Sequence, residues 1–360
     1  MEKNDSTSPK ETKKEFQVTD ILPEGISIYL NMIGGHSFFV SYQKKYLFKR
    51  VKERELKFYE YLINNNIDSP HLLHCYGFIK QGTKQHDYIV NYKNKCDNYI
   101  KRLIKLFDIK LDDVNIQHDI MFEQKFRDFT NEKNNVDNCE ELDNSFNDLK
   151  DQLIYIRDNN INKFFWIFYW YIKWEQQFVN DNFIILDNLD YNKEEPTTID
   201  IKVGEEKKIS KKSSKAKIYK GAHESFGCRI MGIYKKNLKF KSRFVTKIYD
   251  AKEFMEELNT YFEKRQHIID TVIKIIEDII DFVEDKLYLK IYFASILISY
   301  DNINDKKEPS VKLIDFELTN CSNTNNYEIY PVKGKEAETD YNAKFISALT
   351  KLIKALKSLK

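Results

Sequence analysis

Two β-rich runs, residues 288–300 and 311–318, stand on either side of the polar turn 302–309, and this layout predicts a hairpin. Before it, Phe254, Leu258, Phe262, Ile269, Val272, Ile276 and Ile280 recur at helical spacing, which predicts one long helix over 251–285. A third run, Pro196–Gly204, alternates strictly. Ile199, Ile201 and Val203 fall on one side of a strand there, and Asp200 and Lys202 fall together on the other. Further strands are expected at 45–51, 182–187 and 228–234. A helix carrying Leu56, Tyr59 and Leu62 and a last helix over 343–359 complete the set. The sum is an α+β protein, with a smaller N-terminal lobe ahead of a larger C-terminal one and the join near 187–196.

Residues 1–15 read as a disordered tail. The N-terminal lobe is expected over 16–186 and the C-terminal lobe over 187–360. The stretch 94–160 is rich in Asn, Asp and Glu, lacks Gly and Pro, and reads as an insertion, partly helical and partly disordered.

With a formal net charge of +2, the chain is not expected to be a general binder of nucleic acid. Its five cysteines are far apart and form no C-x-x-C pair, so neither a disulfide framework nor a zinc site is indicated, and a reducing compartment fits. The N-terminus lacks the apolar stretch of a signal peptide. The aromatic run 164–171 falls far short of the ~20 residues of a membrane span and reads as a buried helix. A soluble protein is expected.

Four constellations point to phosphate chemistry. Lys49 on a strand is followed by Glu55 on the next helix. A strand lysine can reach nucleotide phosphates, and a helix carboxylate can hold its ammonium in place. Gly34-Gly35-His36 precedes a strand, where glycines let backbone N–H groups approach phosphate oxygens; a plain hairpin turn fits the triplet equally well. Asp315 lies in an otherwise apolar strand, where burial is unfavourable unless the carboxylate is paired or bound to a metal. Ser295 occupies the facing strand, and hard oxygen donors of this kind suit Mg²⁺. Asp200 and Lys202, side by side, make a floor on which the lysine neutralises phosphate and the aspartate orients a hydroxyl; an ordinary ion pair on a half-exposed strand would look the same.

These residues resemble the inositol polyphosphate kinase family. Pro196, Asp200, Lys202 and Gly204 match its P-x-x-x-D-x-K-x-G signature at every fixed position. Ser225, Gly227, Arg229 and Gly232 are similar to its S-L-G-x-R-x-x-G element. Ile314-Asp315-Phe316 resembles its I-D-F motif, Ser295-Ile296-Leu297 its serine-leucine strand, Gly34-Gly35-His36 its G-G-H loop, and Glu55 with Phe58 and Tyr59 its E-x-x-F-Y helix.

The resemblance implies a two-lobed fold distantly related to protein kinases, with antiparallel sheets in both lobes and ATP between them. It implies that Gly35, His36, Lys49, Glu55, Asp187, Leu189 and Asp200 hold the nucleotide. Asp315 and Ser295 would bind Mg²⁺, and Asp200, Lys202 and Asp315 would carry the chemistry. It further implies that Lys202, with Lys208, Lys211, Lys212 and Lys215 after the signature, holds the anionic substrate. Each phosphate carries about −1.5 to −2, so a hexakisphosphate holds roughly −9 or more.

The expected activity is ATP-dependent phosphorylation of a soluble inositol phosphate by a monomeric cytoplasmic enzyme, the lysine cluster also being compatible with nuclear import. The insertion resembles the inositol hexakisphosphate kinase branch, which makes pyrophosphates. Kinases of inositol trisphosphate or of several inositol phosphates are the alternative, and a non-catalytic inositol phosphate sensor is a further one. RNA binding through the basic segment ranks last, because Tyr219 alone is available there for stacking. The chain departs from the family at Glu317 and Leu318, where Ala-His is usual, at Asp187, where glutamate is usual, and at 340–342, which lacks a glycine-rich D-x-G-Y pattern.

Overall fold

A computed structural model describes residues 16–31, 33, 39–109, 144–159, 161–174, 181–204, 222, 225–235, 241–242, 250–285, 287, 289–304, 306–319 and 342–359. The expected tail at 1–15, most of the expected insertion, Gly34, Gly35 and His36, and the lysines at 208, 211, 212 and 215 lie outside the described residues.

The first sheet comprises β1 (Ile26–Ile28), β2 (Phe39–Tyr42), β3 (Tyr46–Val51), β4 (Cys75–Ile79) and β5 (Asn182–Asp187). It is antiparallel throughout, in the order β1-β2-β3-β5-β4. Its two faces separate by the two-residue period of a strand. Phe183 and Ile185 of β5 join a core with α2 (Lys84–Leu106), α3 (Asn144–Asn159) and α4 (Ile161–Trp174). Ile184 and Leu186 point the other way, into the core of the second sheet. Helix α2 is capped at Thr83, whose hydroxyl accepts from the His86 N–H, and it runs through residue 94, where the expected insertion begins.

The second sheet comprises β6 (Pro196–Gly204), β7 (Cys228–Tyr234), β8 (Lys241–Ser242), β9 (Ile291–Asp301) and β10 (Ser310–Thr319), in the antiparallel order β10-β9-β6-β7-β8. Ile199, Ile201 and Val203 are fully buried against α5 (Ala251–Phe262), α6 (Gln266–Asp285) and α7 (Ala343–Lys357). The predicted long helix is thus two. Glu263 and Lys264 both take left-handed backbone conformations, which ends α5, and Arg265 turns to donate to the Asn302 carbonyl. The break lets Tyr261 reach under the sheet, where its hydroxyl contacts the Ile298 carbonyl at 2.9 Å.

The helix α1 (Glu53–Asn64) begins with Glu53 and Glu55 in its first turn, where carboxylates favour the helix dipole, and ends before left-handed Asn66. Although it follows β3 directly, its buried face (Leu56, Phe58, Tyr59, Leu62) joins the core of the second sheet. The chain after α1 adds to that sheet as well. Leu72 bridges Leu313 in parallel, and the Leu313 N–H donates to the His71 carbonyl at 2.8 Å, covering part of the β10 edge.

The β9–β10 hairpin is held at its base by Asp301. Its buried carboxylate accepts from the N–H groups of Glu194 (2.9 Å), Glu195 (3.2 Å), Ile303 (3.2 Å) and Asn304 (3.4 Å). Burial alone would push this carboxyl up; the four donors outweigh it and hold it below the usual carboxylate range. Its stabilising effect is therefore complete above the unfolded pKa of ~3.9 and is lost as pH falls through the lower native value. Asp301→Ala should lower unfolding free energy by about 2–4 kcal/mol in urea titration and flatten the acid limb of the stability profile.

Candidate active site

The faces of the two sheets determine where the charged side chains meet. On β6, Thr198, Asp200 and Lys202 share the face opposite the apolar core, and their register partners on β9 are Ser299, Leu297 and Ser295. Leu297 packs against the core of the first sheet, so this polar face looks toward the N-terminal lobe. On β3, Lys49 pairs in register with Ile184, which faces the second core, so Lys49 looks toward the C-terminal lobe. The two faces confront each other. Asp200 and Lys202 are 7% and 9% exposed, more enclosed than the half-exposed strand the sequence allowed.

Asp315 reaches this space through a break in β10. Ile314 pairs with Ser295 and Leu318 with Phe293, so residues 315, 316 and 317 stand opposite Ala294 alone. Within this bulge Asp315 takes a left-handed conformation, φ 64°, which is unfavourable by roughly 1–2 kcal/mol for most residues but is tolerated best by Asp and Asn. Phe316 offsets that strain. It is fully buried and stacks on Phe58 of α1 with ring centroids 3.8 Å apart and planes 14° apart. With Phe316 fixed inward, Asp315 projects outward, its side chain 36% exposed, and meets the Lys202 ammonium in an ion pair. The carboxylate that a regular strand would have buried is turned out into the space between the lobes.

Lys49 Nζ lies 2.5 Å from Glu55 Oε1. Burial acts to strip the Lys49 proton, but Glu55, Asp315 and Glu317 outweigh it and hold its pKa above the ordinary lysine value. Glu317 in turn pairs with Lys52 at 2.5 Å. Ser295 is buried, in register with both Lys202 and Ile314. On the other side of Lys202 stands Arg229 of β7, also buried. The Lys202 ammonium and the Arg229 guanidinium lie 5.4 Å and 5.3 Å from the Phe293 ring centroid.

The structure thus brings Lys49, Glu55, Lys202, Ser295 and Asp315 together, with Asp200 on the same strand face. Asp187 is expected to act through its backbone. It accepts from the Tyr76 hydroxyl at 2.8 Å, so its side chain is engaged on β4. The Leu189 carbonyl accepts from the Lys193 ammonium. Glu317 was not singled out by sequence, and its only signal is that it breaks the I-D-F-A pattern.

Two motif glycines mark close approaches. A β-carbon on Gly232 would lie 1.8 Å from the Ile33 carbonyl oxygen, so the segment entering the Gly34-Gly35 pair crosses β7 where no side chain fits. One on Gly204, at φ 117°, would lie 2.3 Å from the Tyr292 carbonyl oxygen.

The profile of the inositol polyphosphate kinase family matches residues 183–357. Over this stretch the chain is similar to the inositol polyphosphate kinase family. The matched segment runs from β5 to α7 and contains Asp200, Lys202, Ser295 and Asp315; Lys49 and Glu55 precede it. Among solved structures, inositol phosphate multikinase Ipk2 from S. cerevisiae in complex with ADP and Mn²⁺ shares 17% identity over 49% of this chain and 84% of that one, with a TM-score of 0.38. A second structure of an inositol phosphate multikinase gives 18%, 49%, 84% and 0.37. Overlap at this level carries no information on substrate. No curated protein matches the chain at a significant level.

If Phe316 is the anchor of the bulge, Phe316→Ala should lower unfolding free energy by about 3–5 kcal/mol, measured by urea titration. Phe316→Leu, which keeps most of the volume, should lose less than half as much.

Proposed function

We propose that this chain is an ATP-dependent inositol polyphosphate kinase. The observation that carries the reading is the confrontation of two charge sets across the lobes: Lys49 with Glu55 from one side, and Asp315 with Lys202 from the other. In the reaction, the γ-phosphorus gains a bond to an acceptor oxygen and loses its bond to the bridging oxygen, and ADP leaves. Its transition state is loose, so positioning and neutralisation of charge dominate.

Asp315 and Ser295 are the residues that would hold Mg²⁺. The fit is chemical: Asp315 offers an outward, partly exposed carboxylate oxygen, and Glu55 and Glu317 add negative potential nearby. When bound, the ion would neutralise phosphate oxygens. Lys49, kept protonated by its carboxylate neighbours, would sit on the nucleotide phosphates, with Glu55 bracing it. Asp200 would contact the ribose or orient the acceptor. Lys202, released from Asp315, would hold the transferring or acceptor phosphate. Gly35, His36, Asp187 and Leu189 would complete the nucleotide site, the last two through backbone groups, and Lys208, Lys211, Lys212 and Lys215 would hold acceptor phosphates.

For the acceptor, a kinase acting on several lower inositol phosphates is the broader reading. Inositol hexakisphosphate is the narrower one, resting on the insertion at 94–160. No helix among the described residues is long and apolar enough to cross a membrane.

Asp315→Asn and Lys202→Met should each lower ATP-dependent turnover by roughly 100-fold or more with the thermal midpoint little changed, since charge neutralisation in phosphoryl transfer contributes several kcal/mol. Near-normal turnover in either would remove its assigned role. Incubation with Mg²⁺-ATP and a panel of inositol tris-, tetrakis-, pentakis- and hexakisphosphates, separated by ion-exchange chromatography, assigns the acceptor. Conversion of the hexakisphosphate alone would select the pyrophosphate-forming reading.

A further inference from the structure

The aromatic helix α4 contains one charged side chain between Ile161 and Ile172, and it is Lys163. It is 1% exposed. An ammonium so enclosed is strongly unfavourable unless neighbours compensate. Its neighbours come from three other parts of the chain. Its Nζ donates to Asn31 Oδ1 at 3.2 Å and lies 3.4 Å from the Tyr234 ring centroid at the end of β7. Asp190, just past β5, supplies the opposing charge.

Asp190 is itself a junction. Its Oδ2 accepts from the Tyr29 hydroxyl at 2.7 Å and from Asn31 Nδ2 at 3.4 Å. Its Oδ1 accepts from Ser299 Oγ at 3.2 Å and Thr198 Oγ1 at 3.4 Å, and those two hydroxyls lie 3.1 Å apart on β9 and β6. One carboxylate therefore ties the segment after β1 and the linker between the sheets to the polar face of the second sheet. Thr198 stands two residues from Asp200 on that face, and Asp190 directly follows Asp187-Asn188-Leu189.

We propose that Lys163 and Asp190 are positioning residues for nucleotide binding. Together they fix the linker and the segment after β1 against the β6 face, and so set the separation of the two walls between which the nucleotide is read to lie. This rests on the kinase reading above, but neither residue belongs to its machinery. A lysine used only to fill space could be exchanged for an apolar side chain of equal length without consequence for ligand. Lys163 instead sits at the convergence of a lone carboxylate, an amide and an aromatic face drawn from separate elements. Burial pushes its pKa down to about 7, and the Asp190 carboxylate opposes that shift.

The test is a titration of the full-length wild type, Lys163→Met and Tyr29→Phe with a fluorescent ATP analogue and Mg²⁺, alongside thermal midpoints and steady-state kinetics. Lys163→Met should weaken nucleotide binding roughly 5- to 10-fold and raise the KM for ATP in parallel while kcat stays within about twofold. Tyr29→Phe, which removes one hydroxyl and leaves the ring, should weaken binding by roughly two- to threefold, and the double variant should fall short of the product of the two because both act through Asp190. Unchanged affinity in Tyr29→Phe and Lys163→Met, or a fall in kcat equal to the rise in KM, would overturn the positioning role. Should Lys163→Met fail to fold, Tyr29→Phe decides alone. Absence of nucleotide binding by the wild type would instead remove the kinase reading, and this inference with it.

Discussion

Asp315 and Lys202 are brought into contact from strands that are not neighbours, since β9 lies between β10 and β6. In a regular ladder, the aspartate of an apolar strand would be forced to one face or the other. The bulge removes that constraint by giving the strand surplus length, and Phe316 consumes the surplus by burying itself on Phe58. The ion pair is thus set by hydrophobic packing one residue away. The same packing draws α1 onto the second sheet, and α1 carries Glu55, which holds Lys49. A single stacked aromatic pair therefore links both charge sets of the candidate site.

Electrostatically the site is balanced. Glu55, Asp315 and Glu317 face Lys49, Lys202 and Lys52, with Arg229 buried behind. In water such pairs contribute little, as for the exposed Lys52 and Glu317, but between the two sheets the enclosed Lys49 and Lys202 are held largely by their partners. An arriving anion would compete for the ammoniums and an arriving dication for the carboxylates. Binding both together would preserve the balance that either alone would break.

Much of this arrangement was legible in the sequence because strand alternation is a local property. The run from Ile199 to Val203 declares its inner face, and with it the outward pairing of Asp200 and Lys202. The hairpin was readable from the polar stretch between two β-rich runs. The bulge was not, because nothing in Ile314-Asp315-Phe316-Glu317 states that three residues will oppose one; that is decided by Phe58, more than two hundred residues away. The break between α5 and α6 also escaped, since Glu263 and Lys264 are ordinary helix formers and the contact of Arg265 with Asn302 that accompanies their left-handed backbone is made only in three dimensions. Lys163 left a trace, the one charge between Ile161 and Ile172, yet its partners Asn31, Asp190 and Tyr234 are contiguous only in three dimensions.

The sharing of α1 has a consequence for the protein as a folding unit. The family match begins at residue 183, yet the core it would enclose is completed by Leu56, Phe58 and Tyr59, and the outer strand of its sheet is covered by His71 and Leu72. Expressed alone, that segment would present an open apolar trough and unpaired amide and carbonyl groups along β10, the combination that recruits foreign strands and drives self-association. The boundary of sequence kinship therefore does not coincide with the boundary of autonomous stability.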